Sequence, residues 1–149
     1  THALEGEASE VARDFVALAR RISAGQGPVR APACVLAGGE TTVTVRGAGA
    51  GGRCQEFVLA AALEMDGLDG LVVLAAGTDG TDGPTKAAGA LADGESAVRA
   101  RAAQVDLRAR LAANDSHAVF AVLGDLVVTG PTNTNLLDLY LVLIWPAAR

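Results

Sequence analysis

The run Leu71-Val72-Val73-Leu74-Ala75-Ala76 is apolar without interruption and is bracketed by Gly70 and Gly77. It shows no helical period, and its six residues fall far short of the ~20 needed to cross a bilayer. It therefore predicts a β-strand buried on both faces. A strand of that kind commits the chain to a covered sheet, and the helical patterns around it supply the cover. The strand runs into Gly77-Thr78-Asp79-Gly80-Thr81-Asp82-Gly83-Pro84, a loop dense in turn formers. Ligands of α/β sheets gather in loops at the carboxyl ends of strands, so this loop is a first place to look for a site.

The remaining segments continue the alternation. Leu4, Val11, Phe15, Leu18 and Ile22, with Ala8, form one apolar stripe on a helix that Gly25, Gly27 and Pro28 end. Glu5, Glu7 and Glu10 near its start and Arg20 and Arg21 near its end complement its dipole. Ala33 to Leu36, closed by Gly38-Gly39, and the alternating Thr41 to Val45 read as two strands. A helix follows from about Arg53 to Met65, with Phe57, Val58, Ala61 and Ala62 facing the core. Ala87 to Leu91 fits a short strand or a helical turn. Glu95 to Gln104, Asp106 to Ala113 and a segment containing Ala118 to Leu123 read as helices, with Asn114, Asp115 and Ser116 as caps for the last. Leu126 to Thr129 and Leu139 to Ile144 read as strands. Together these predict a single α/β domain with a mixed sheet of about five or six strands flanked by helices. Residues 1–28 read as a linking helix from a preceding domain, and 29–149 as the α/β domain itself.

Composition removes several functions. Half of the 149 residues are hydrophobic, enough for one core. The net charge of −5, with Lys86 the sole lysine and no basic run, argues against nucleic acid, whose phosphates need clustered cations. No apolar run spans a membrane, and the start shows no basic segment leading into an apolar one. That points to a cytoplasmic protein, and the missing initial Met to a piece of a longer one. Cys34 and Cys54 lack metal-ligand spacing and read as free thiols.

Three loops carry the residues able to do chemistry. In the first, Gly47, Gly49 and Gly52 satisfy G-x-G-x-x-G between a strand and a helix. The strand before it alternates Thr and Val, and no acidic residue ends a second strand about 20 residues on, so a dinucleotide fold is disfavoured. The physical reading is an anion seat: Gly49, Gly51 and Gly52 expose N–H groups at a helix N-terminus, and Arg53 adds a bidentate grip on carboxylate or phosphate. A plain tight turn with a solvated Arg53 is the other reading. In the second loop Asp79 and Asp82 could hold a divalent metal or orient a hydroxyl, or could simply close two Asx turns. The third, Gly130-Pro131-Thr132-Asn133-Thr134-Asn135, offers neutral donors and acceptors suited to a polyol or phosphate, or ordinary turn chemistry. Asp138 could cap a helix or enter the site. Asp115-Ser116-His117 is no triad, since neighbours on a helix point apart. His2 is expected in solvent, and Phe120, Tyr140 and Trp145 in the core or at its edge.

Several motifs, in order, resemble one family. Gly38-Gly39-Glu40-Thr41-Thr42-Val43, Arg46-Gly47, Gly51-Gly52-Arg53 and Gln55-Glu56 are similar to the start of the MOFRL domain. Ala76 to Gly80, Asp82 to Thr85 and Ala87 to Ala90 resemble its middle. Asn114-Asp115-Ser116, Gly124-Asp125-Leu126, Thr129 to Thr132, Thr134-Asn135 and Asp138-Leu139 resemble its end. The opening Leu4 to Ala8 with Val11-Ala12 is similar to the helix that joins this domain to the one before it.

The resemblance implies the C-terminal half of a class II glycerate kinase, a family some of whose members are labelled hydroxypyruvate reductase. It implies ATP-dependent phosphorylation of D-glycerate at the 2-hydroxyl, with Mg2+ or another divalent cation. The cleft is shared with an N-terminal Rossmann-like domain, and a homodimer is left open. On this footing Arg53 grips the substrate carboxylate or a phosphate, Glu56 orients Arg53, and Asp79 and Asp82 hold the metal or the glycerate hydroxyl. Gly49, Gly51, Gly52, Thr132, Thr134 and Asn135 line the nucleotide and substrate cleft. Severed from its partner, such a domain should expose an apolar patch. The chain departs from the family pattern at Cys54 (usually Asn), Lys86 (commonly an acid), Asn133 (frequently Gly) and Leu137 (frequently Asn). A non-catalytic ligand-binding or interaction module and a nicotinamide-dependent hydroxypyruvate reductase are the alternatives.

Overall fold

A computed structural model describes residues 3–146. The order of elements is β1 (Leu4–Glu7), α1 (Ala8–Ser23), β2 (Ala33–Thr42), α2 (Arg53–Glu64), β3 (Leu71–Gly77), β4 (Gly89–Asp93), α3 (Ser96–Ala102), α4 (Leu107–Ala112), α5 (Ser116–Leu123), β5 (Leu126–Val127) and β6 (Asp138–Ile144). The six strands form one mixed sheet in the order β1-β2-β6-β3-β4-β5. Only β1 and β2 run parallel; all the other pairings are antiparallel. The architecture is the mixed α/β domain that the sequence predicts.

Helix α1 buries Ala8, Ala12, Phe15, Val16, Ala19 and Ile22, one stripe at helical spacing. Helix α2 is buried almost all round, from Cys54 to Ala62, because it lies between the sheet, α1 and the three short helices. Its run Ala60-Ala61-Ala62 lets those neighbours come close. Phe57 anchors the packing: its ring sits 5.7 Å from that of Phe15 and 4.7 Å from that of Tyr140 on β6.

Central strand β3 differs from the fully buried strand its apolar run predicts. Leu71, Val73 and Ala75 are buried under the helices, while Val72, Leu74 and Ala76 are half-buried on the other face. That face carries a row of leucines in register, Leu36, Leu141, Leu74 and Leu91, across four strands. Leu36, at one end of the row, is 62% exposed.

Two further segments differ from the sequence reading. The two strands read on either side of Gly38-Gly39 are a single strand, β2. A side chain on Gly39 would overlap the backbone of Leu4, so the glycine lets β1 dock and interrupts nothing. The sequence predicts a linking helix over residues 1–28, whereas Leu4–Glu7 form an edge strand and α1 packs into the core. Position 2, with the histidine expected in solvent, lies outside the described residues. No helix among the described residues is long and apolar enough to cross a membrane.

A candidate anion site at the end of the sheet

Gly39, Asp138 and Gly77 stand level across β2, β6 and β3. The glycine loop, the 78–88 loop and the 128–137 loop all leave the sheet at this end, so the topology gathers the three predicted segments. Asp138, between two glycines, is 2% exposed. A buried carboxylate needs partners. It accepts from Arg53 Nε at 2.5 Å, from Arg53 Nη2 at 3.1 Å and from the Tyr140 hydroxyl at 3.1 Å. Tyr140 in turn meets Thr41 Oγ1 at 3.0 Å. Arg53 Nη1 pairs with Glu40 at 3.0 Å. The Asp138 hydrogen bond drives the Arg53 pKa still higher, so the guanidinium stays charged. Arg53 is therefore oriented by Asp138, with Glu40 paired to its outer edge, whereas the sequence suggests Glu56.

Glu56 is turned elsewhere. It is 5% exposed and accepts from Asn114 Nδ2 at 2.9 Å. Burial pushes its pKa up, and the Asn114 bond opposes this. It borders a polar cavity of about 370 Å³ shared with Glu7, Arg13, Arg46, Arg108 and Asn114. Asn114 also accepts from the N–H groups of Arg46 at 2.7 Å and Gly47 at 3.0 Å, so one side chain pins the start of the glycine loop. The sequence marks Asn114 as a cap and as part of a family motif, without a partner for its side chain. The signal available was an amide residue in a turn, where its φ of 53° is tolerated.

The anion at the N-terminus of α2 comes from the chain itself. Asp82, 4% exposed, accepts from the backbone N–H of Cys54 at 3.0 Å, the backbone N–H of Gln55 at 2.9 Å and Gln55 Nε2 at 2.9 Å. It is an N-cap supplied from another loop. Burial raises its pKa, and those bonds pull the other way. Side chains on Gly51 and Gly52 would overlap Ser116 Oγ and Asp82, and one on Gly49 would overlap Asp115. The bare faces of these glycines are thus filled by protein. The expected anion seat is occupied, and Asp82, buried and engaged by three donors, presents no open face to a metal.

Asp79 remains available. Its Oδ1 accepts from the Thr81 N–H at 2.9 Å and the Thr81 hydroxyl at 3.0 Å, and these bonds hold its pKa below the usual carboxylate range. The other oxygen has no hydrogen-bond partner among the described residues. Thr132 staples two loops: its N–H donates to the Asp79 carbonyl at 3.2 Å and its hydroxyl to the Thr78 carbonyl. Thr78 Oγ1 donates to the Leu137 carbonyl at 2.7 Å. Thr134 and Asn135 are exposed on the same loop, with Asn135 Oδ1 accepting from the Leu137 N–H at 3.1 Å. Among the described residues no cluster of three acidic, His or Cys side chains could hold a metal. One carboxylate fits a Mg2+ ion carried mainly by phosphates and water; Asp79 meets that description and Asp82 does not.

Asp115, Ser116 and His117 diverge as expected. Asp115 accepts from the Ala50 N–H at 3.1 Å and pairs with Arg110, while His117 Nδ1 meets Gln55 Oε1 at 2.9 Å. Ser116 Oγ is buried with no hydrogen-bond partner among the described residues. Two of the four departures from the family pattern are conformational. Asn133 and Leu137 both have positive φ, 57° and 66°, where Gly or Asn is favoured. Cys54 is wholly buried, its thiol kept protonated by burial and by nearby carboxylates. Both cysteines are free, and Lys86 is exposed.

Residues 33–138 match the MOFRL family. A D-glycerate 2-kinase of Thermotoga maritima is 42% identical over 144 residues, 97% of this chain and 34% of that protein. An Agrobacterium vitis protein provisionally named hydroxypyruvate reductase is 46% identical over 144 residues, 95% of this chain and 33% of its own length. A crystal structure of a glycerate kinase from Thermotoga maritima superposes with a TM-score of 0.93 at 42% identity, covering 95% of this chain and 34% of that one. This chain thus spans about a third of the length of the curated relatives it matches.

Proposed function

The chain belongs to the MOFRL family, and from that membership we propose that it is the C-terminal half of a glycerate kinase, acting on D-glycerate with ATP and a divalent cation. The observation that carries the reading is the Arg53 guanidinium, held by buried Asp138 on one edge, with its other edge paired to the half-exposed Glu40. A planar cation fixed in this way suits the carboxylate of a small hydroxy acid. Phosphoryl transfer depends mainly on positioning and on spreading charge, so a preorganised Arg53 contributes by holding the acceptor in line. Asp79, ionised and with a free oxygen, is the residue that would hold Mg2+, whose contribution is to neutralise phosphate charge. Thr134 and Asn135 are free to contact the acid's hydroxyls or the nucleotide.

A preceding Rossmann-like domain supplies the remaining groups and closes the cleft in this reading. The uncovered leucine row is the kind of surface such a longer protein would cover. The nicotinamide reading is weaker, because protein atoms fill the space beside Gly51 and Gly52 that a pyrophosphate would need. The test is a coupled assay of the full-length protein with ATP, magnesium and D-glycerate. Formation of 2-phosphoglycerate that collapses in Arg53→Ala and Asp79→Ala supports the proposal. A folded protein that turns over neither D-glycerate nor related sugar acids defeats it.

A further inference from the structure

Arg53 has two acidic partners that differ in how firmly they are held. Asp138 is 2% exposed and locked by three donors, two from Arg53 and one from Tyr140. Glu40 sits on the opposite face of the sheet with its side chain 50% exposed, and Arg53 is its one ion-pair partner among the described residues. In the β1–β2 register Glu40 faces Glu5, a like charge that works against holding it in place. An exposed pair of this type contributes little. A guanidinium has five N–H donors, and Asp138 takes the Nε edge, so Glu40 occupies the outer one.

We propose that Glu40 is an exchangeable counter-ion, occupying on Arg53 the position that the carboxylate of the bound acid takes over. Asp138 stays and aims the guanidinium, and Glu40 leaves when the ligand arrives. Glu40 thereby sets the affinity for the anion and discriminates against ligands too weakly charged to displace it. This rests on the reading of Arg53 as the carboxylate grip. It assigns Glu40, which that reading leaves without a role, as a specificity-determining residue.

The experiment compares full-length wild type, Glu40→Gln and Glu40→Gln/Arg53→Ala, titrated calorimetrically with D-glycerate and separately with sulfate, and assayed for KM and kcat. Glu40→Gln keeps size and removes charge. Kd and KM for D-glycerate are expected to fall together by about two- to fivefold, the scale of an exposed ion pair. The gain should vanish in the double variant. Unchanged or weaker binding in Glu40→Gln, or a collapse in kcat with Kd unchanged, overturns the proposal and makes Glu40 a direct contact to substrate or metal. Should wild type bind no D-glycerate, the kinase reading fails and sulfate decides separately. Sulfate bound more tightly by Glu40→Gln in an Arg53-dependent manner retains the counter-ion role, and equal or absent sulfate binding ends it.

Discussion

The Asp82 carboxylate takes two hydrogen bonds from Gln55, one from its backbone N–H and one from its side-chain Nε2, both at 2.9 Å. With the Cys54 N–H it closes the first turn of the helix on which Arg53 is the first residue. The two aspartates of one loop thus do different work, Asp82 inward and Asp79 outward. Asp82→Ala leaves buried donors unpaired and should cost about 2 kcal/mol of stability, seen as a lowered midpoint in denaturant titration. Asp79→Ala should melt within about 0.5 kcal/mol of wild type, while the full-length protein loses the kinase activity proposed for it. Equal destabilisation by both would refute this division.

Asp138→Asn takes the charge and one of the two acceptors from the fixed partner of Arg53 and leaves Glu40 as the carboxylate on the guanidinium. Misplacing a positioning group by even a small distance can cost about 100-fold, so kcat/KM for D-glycerate should fall by about that factor in the full-length enzyme. Tyr140→Phe, which removes the hydroxyl contact to Asp138, should fall less, by about tenfold. Steady-state kinetics on the two variants check the order.

Leu137 holds a φ of 66°, which a branched side chain adopts only with strain, and it is 45% exposed, so little packing is lost on replacement. Its carbonyl, which accepts the N–H and hydroxyl of Thr78, is untouched by substitution. Leu137→Gly or Leu137→Asn should therefore stabilise by about 1 kcal/mol, measurable as a raised thermal midpoint. A loss of stability would mean that the leucine packs usefully.

Glu56 is buried, and its folded-state pKa lies above its ordinary value. Between its ordinary and its folded-state pKa the folded protein holds the proton more tightly than the unfolded chain. The contribution of Glu56 is therefore most favourable at low pH and is lost as pH rises through the folded value. Glu56→Gln cannot ionise, so it should gain relative to wild type at about pH 8 and not at about pH 4, by roughly 1 kcal/mol. Thermal melts at both values decide it; an identical difference at the two would mean that burial does not govern this carboxylate.

Much of this domain is legible along the chain, because local periodicity and turn chemistry report local structure. The apolar run at Leu71–Ala76 predicts β3, the stripe from Ala8 to Ile22 predicts α1, and the glycine- and threonine-rich segments predict the loops that meet at one end of the sheet. The motifs in order also identify the family. What the chain could not say is which carboxylate meets which donor. Asp82 lies 27 residues from Gln55 and Asp138 lies 85 from Arg53, and only the closing of the sheet brings each pair together. The glycines were open to a ligand as far as sequence could tell, yet packing fills the space beside Gly51 and Gly52 with Ser116 and Asp82. Residue type determined that anions, cations and bare backbone would gather here. Burial, which depends on the whole fold, decided that Asp82 caps a helix, that Asp138 aims Arg53, and that Asp79 and Glu40 are left facing solvent.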